Sequence, residues 1–194
     1  MLWGAFLEAI LIVANIGTAT AIYTVIKRRH PNLALSFVAA RIMESVFIAV
    51  GILSVLTIVT MRQDYAATDG QAAAGLAVVG DAFVALQEWT FVLGPGLVVG
   101  VGNGLILGYI MYRTGLVPRR LAMFGLVGGP LLILAGSAAM LGFIEPGSAW
   151  QTLPAAPEFI WELGFGVYLI MKGFRTTPNN APSTAPTAGM VDAR

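Results

Sequence analysis

Five stretches of this chain, residues 3–26, 36–60, 91–112, 121–143 and 157–171, read as apolar runs able to cross a lipid bilayer. Nothing else in the sequence constrains its fold as strongly. Hydrocarbon about 30 Å thick and a helical rise of about 1.5 Å per residue make a span of about 20 residues. In lipid each backbone N–H and C=O must be satisfied within the protein, and no alternating barrel-type strands occur. The segments are therefore predicted to be helices of an all-α, polytopic transmembrane bundle. Composition agrees, with 57% hydrophobic and 11% charged residues against roughly 25% charged in soluble domains.

The start resembles a signal peptide only superficially. It lacks a charged opening and a small-residue cleavage site, and its apolar run continues to Ile26, so it reads as a retained helix. Basic residues Lys27, Arg28, Arg29, Arg113, Arg119, Arg120, Lys172 and Arg175 follow the first, third and fifth segments. Loops 61–80 and 144–156 carry Asp64, Asp69 and Glu145 against the single Arg62. The positive-inside rule then predicts a bacterial cytoplasmic (inner) membrane protein with its N-terminus outside and its C-terminus cytoplasmic. Trp3, Trp89, Trp150 and Trp161 fall near the outer interface and Tyr23, Tyr109 and Tyr112 near the inner one, as an aromatic belt would. Residues 71–90, which include Asp81, Gln87 and Glu88, read either as an outer interfacial helix or as an extension of the third span bent at Gly94-Pro95-Gly96. Residues 1–175 form one transmembrane domain, and the Pro-, Ser- and Thr-rich residues 176–194 are expected to be a disordered cytoplasmic tail.

Several functions are excluded early. A net charge of +1 offers no field for nucleic acid. Without cysteine, and with His30 as sole imidazole, the chain has no thiolate nucleophile, Cys/His zinc site or two-His motif. The sequence implies no cofactor and no metal, and any metal would have to be a hard cation held by oxygens. An intramembrane enzyme has the least support.

The third segment repeats glycine at every fourth position, Gly96, Gly100, Gly104 and Gly108, with Asn103 on the same stripe. Such a groove lets another helix approach closely, and Gly125 and Gly129 offer a partner face. Asn103 suits an interhelical hydrogen bond. Pro95 reads as a helix start or as a break in the helix.

The charges inside apolar segments bear most on function. Glu8 and Asn15 share a face of the first segment, Glu162 lies within the fifth with Glu158 one turn away, and Glu88 precedes the third. Glu8, Asn15, Glu88 and Glu162 make up a candidate polar pocket in the outer half, suited to a proton, a cation or a small solute. Each acid also reads as a boundary residue reaching water. Arg41 and Glu44, three residues apart on one helical face, are predicted to form an ion pair, either structural or an inner gate. A central charge costs about 2.5–3.5 kcal/mol, and counting back from Thr60 puts Arg41 near the cytoplasmic interface. The leading reading is a small-solute, proton or cation binding or transport protein. The alternative is an assembly or regulatory subunit packing on a larger membrane protein through the glycine helix. Expected partners are the lipid bilayer and either a second copy or another membrane protein.

The runs GAFLEAI, ALSFVAARIMESVFIAVG, EWTFVLGPGL, YRTGLVPRRLAMFGL and PEFIWELGFGVYLIMKGF resemble the bacterial membrane proteins grouped as domain-of-unknown-function family 4386, over residues 4–174. The resemblance implies a small multi-pass inner-membrane protein and no particular activity. Glu8, Arg41, Glu44, Glu88, Pro95, Arg113, Pro118 and Glu162 match its recurring pattern. Members of the family usually begin with a further hydrophobic helix, so this chain reads either as a five-helix member or as one shortened at its start.

Overall fold

The computed structural model describes residues 1–66 and 71–175, which are almost wholly helical and hold no strand. Five principal helices form a bundle. Helix α1 is Leu2–Ile26 and α2 is Pro31–Ala66. Helix α3 is composite: Gln71–Phe91 runs into π-helical Val92–Val98 and Gly100–Leu107, then into Gly108–Thr114. Helix α4 is Arg119–Met140, and α5 is Ala156–Lys172, preceded by the short turns Ala149–Thr152 and Leu153–Ala155.

Four helical runs, Leu2–Ile26, Pro31–Gln63, Ala74–Thr114 and Arg119–Met140, are long and apolar enough to cross a membrane. Helix α5, at 17 residues, sits at the lower limit of about 17 for a span. The helical turns at 149–155 lengthen its column.

Local chemistry sets the joints. Lys27, Arg28, Arg29 and His30 end the apolar run of α1, and Pro31, whose ring presets a helical φ, opens α2. Gly115 closes α3 in the left-handed conformation, φ 68°, with its N–H donated to Met111 O at 3.0 Å. Leu116 and Val117 then turn inward and are buried, and Pro118 leads into α4.

Some boundaries differ from expectation. Of the predicted loop 61–80, the described residues are helical: α2 runs on to Ala66 and α3 begins at Gln71, and the two pack as neighbours along their lengths. Residues 71–90 are therefore an extension of the third span and not a separate interfacial helix. Pro95 neither starts nor breaks that helix. It has no N–H for an i→i−4 bond, and the surrounding turns adopt the wider register, as where Val99 N–H reaches Gly94 O. The predicted tail at 176–194 lies outside the described residues.

The end of the bundle carrying Lys27–Arg29, Arg113–Arg120 and Lys172 is called here the basic end. Its half of the interior is a continuous apolar core that includes Ile22, Ile26, Phe37, Ile110, Met111, Val117 and Trp161. The other half holds two cavities, and that difference positions the site.

Candidate functional site

Glycine on α3 and α4 lets the bundle close tightly on one side. Gly100 and Gly104 meet Gly129, and Gly108 meets the backbone of Leu126 and Gly125. A Cβ on Gly100 would lie 2.7 Å from Gly129 O, and one on Gly104 would collide with the Gly129 backbone. The groove read from Gly100, Gly104 and Gly108 is thus filled by the chain's own α4. Gly96 departs from the stripe: a Cβ there would meet only Phe91 O of its own helix, at 3.5 Å, and the residue lines a cavity.

On the other side of this contact sits α5. A Cβ on Gly128 would meet Glu158 N at 2.6 Å and Oε2 at 2.7 Å, and one on Gly125 would meet the Trp161 ring at 2.8 Å. The missing side chains on α4 admit the Glu158 carboxyl and the Trp161 indole into the bundle. Trp161 is 1% exposed and donates its Nε1–H to Asn103 O at 3.1 Å. It is a core residue, not a member of the outer aromatic belt, because glycine opposite makes room for it.

Asn15, Arg41, Asn103 and Glu162 each lie ten or eleven residues from the basic end of their helix, about 15 Å along it. That is close to the middle of hydrocarbon about 30 Å thick. There they form one network. Arg41 Nη1 donates to Glu44 Oε2 at 2.7 Å and Nη2 to Asn15 Oδ1 at 2.6 Å. Asn15 Nδ2 donates to Glu44 Oε1 at 3.0 Å. Arg41 Nη1 also lies 3.9 Å from Glu162 Oε1, which accepts a short hydrogen bond from Asn103 Nδ2. The outer pocket and inner gate read separately from the sequence are therefore one arrangement, with Arg41 between Asn15, Glu44 and Glu162 inside the bundle.

Glu158 is the residue that sequence reading passed over as a flank of Glu162. It is 2% exposed, and neither carboxyl oxygen has a hydrogen-bond partner. The other orphan in this network is Arg41 Nε. An unpartnered buried carboxyl costs several kcal/mol, about 2–7 even for a neutral polar group, so native structures keep one where something else satisfies it.

These groups line a cavity of about 330 Å³ bounded by all five helices, at the small end of the roughly 300–1,000 Å³ of ligand sites. Glu8, half-buried, stands at its rim, and Arg41, Glu44, Glu158 and Glu162 form its polar floor. Leu11, Ile48, Phe91, Val99, Leu132 and Phe159 give apolar walls. Glu88 belongs instead to an adjoining cavity of about 460 Å³ with Gln87 and Gln151, separated by Phe91, Pro95, Leu132 and Ala155, which line both. Among the described residues, no three acidic or imidazole groups are placed to hold a metal ion.

No curated protein and no solved structure matches this chain. The model of one family, described as Domain of unknown function (DUF4386), matches residues 1–173, and this membrane protein belongs to that family.

Proposed function

We propose that this chain binds and transports a small solute, proton or cation at the mid-bundle cavity. One observation carries the reading: Glu158, buried one turn from Glu162 with both carboxyl oxygens unpartnered, lines a cavity shared with Arg41, Glu44 and Glu162. Intramembrane carboxylates facing an interior cavity mark ion, proton and substrate pathways. In this reading the protein sits in the bacterial inner membrane with its basic end cytoplasmic and Met1 outside. The packed core at the basic end then closes the cavity from the cytoplasm, while Glu8 marks its outer rim.

The test is flux in reconstituted vesicles carrying a proton or alkali-cation gradient. Wild-type protein is expected to carry a flux that Glu158→Gln and Glu162→Gln each abolish, while Glu145→Gln, outside the cavity, leaves it intact. Equal fluxes from all four proteins, each monodisperse and helical, would sink the proposal.

A further inference from the structure

Resting on the binding role proposed above, we infer that the guest is a lipophilic organic cation, an ammonium group on an apolar body, admitted from the bilayer through a seam between α1 and α5.

The seam is a property of the packing. Helix α1 packs along α2 and makes no comparable contact with any other helix. The cavity reaches α1 at Glu8, Leu11 and Asn15 and α5 at Phe159 and Glu162. A smaller cavity of about 150 Å³ continues it toward the basic end, reaching α1 at Thr18 and Ile22 and α5 at Phe165 and Gly166. The two share Arg41 and Glu162. Glu162 keeps 43% of its side chain exposed at this level although it lies at mid-depth. A slot beside a half-exposed carboxylate, bordered by hydrocarbon, admits a molecule already dissolved in the membrane.

Charge selects the head group. Four carboxyls, Glu8, Glu44, Glu158 and Glu162, face the cavity against one guanidinium. Arg41 is engaged by Glu44 and Asn15. Glu158 is left with no partner, and acid in excess attracts a cation and repels an anion.

The walls select its body. Phe91 and Phe159 line the cavity, and aromatic rings attract an alkylammonium. Leu11, Ile48, Val99 and Leu132 suit an aliphatic chain.

The experiment uses full-length protein in zwitterionic phosphatidylcholine nanodiscs, so that no anionic lipid holds the probes. Dodecyltrimethylammonium, tetramethylammonium and potassium are compared by saturable equilibrium binding. The dodecyl cation is expected to bind best, dodecyl sulfate to fail to compete, and Glu158→Gln and Glu162→Gln each to weaken binding about 30-fold or more, as loss of one partner of a buried charge pair does. Glu162→Gln, at a half-exposed side chain, keeps the test valid where Glu158→Gln does not fold. Gly166→Phe, whose added ring starts in open space at the seam, is expected to slow association of the dodecyl cation and spare that of tetramethylammonium. Glu158-dependent binding of potassium or tetramethylammonium, to which the dodecyl chain adds nothing, overturns this inference and leaves the proposed function standing. Dodecyl cation binding that both Gln variants leave unchanged overturns it as well. Failure of every cation to bind, together with absence of Glu158-dependent flux, removes both.

Discussion

Arg41 of α2 reaches Glu162 of α5 across the bundle, Nη1 to Oε1 at 3.9 Å, while the same nitrogen holds Glu44 at 2.7 Å. Its other terminal nitrogen holds Asn15 of α1. One guanidinium therefore ties together three helices, among them the two that flank the seam. Helix α1 packs along α2, and this tie is its polar link toward α5. The same tie leaves the guanidinium committed and Glu158 free, so structure and binding chemistry rest on one choice of partners.

The pair itself makes a direct prediction. Glu44 is 6% exposed and the Arg41 side chain 11%, so Arg41→Met strands a buried carboxyl and is expected to destabilise the fold by about 3–5 kcal/mol. The double variant Arg41→Met/Glu44→Leu removes both charges and is expected to recover most of that loss, since an apolar replacement of a buried pair is close to neutral. Reversible unfolding in mixed detergent micelles, read as a double-mutant cycle, gives the coupling. Simple additivity would show that the pair is solvated.

Gly104 makes a second prediction, about packing. Its missing Cβ is the space occupied by the Gly129 backbone and, 2.9 Å away, by Glu158 Oε2. Gly104→Ala must push α4 from α3, and overpacking of this kind costs about 1–3 kcal/mol. Gly17→Ala, on α1 with nothing within 4 Å of the added carbon, is expected to be neutral or to stabilise by up to about 1 kcal/mol through helix propensity. Thermal unfolding of the two variants side by side checks the contrast, and equal melting temperatures would contradict the close approach.

Much of this was legible in the sequence, and what was not has physical causes. Apolar run length fixed the helices, and the three-residue spacing gave the Arg41–Glu44 pair. The glycine period identified the contact with Gly125 and Gly129. Arg41 was set apart from Asn15 and Glu162 because counting back from Thr60 places one helix at a time, whereas the packing of α1, α2 and α5 brings the three side chains to one level. The fifth helix runs where it was read, Ala156–Lys172 against 157–171, with further helical turns before it from Ala149. Glu158 was passed over as a flank of Glu162, and Trp161 was read as an interface residue, because nothing on their own helix buries them. Gly128 and Gly125 do so from α4, and a third glycine beside a recognised pair was the one local sign of extra room.

Asn15 supplies the last prediction. It is 2% exposed and is the α1 residue that both donates to Glu44 Oε1, at 3.0 Å, and accepts from Arg41 Nη2, at 2.6 Å. Asn15→Leu has similar bulk but leaves one donor and one acceptor of an ion pair unmet. Hydrogen bonds to charged groups contribute about 1.5–3 kcal/mol, whereas interhelical bonds in membranes average about 0.6. The expected loss is therefore about 1–3 kcal/mol. Its second effect is more diagnostic. With the tie cut, α1 is held to the bundle by its apolar contact with α2, so the seam beside α5 should widen. Cysteine probes at Leu11 and Gly166 should then react faster with a membrane-soluble maleimide in Asn15→Leu than in the parent, while a probe at Ala122, in the packed core, keeps its rate. Unchanged labelling at Leu11 and Gly166 would show that α1 is held in place without the Asn15 tie.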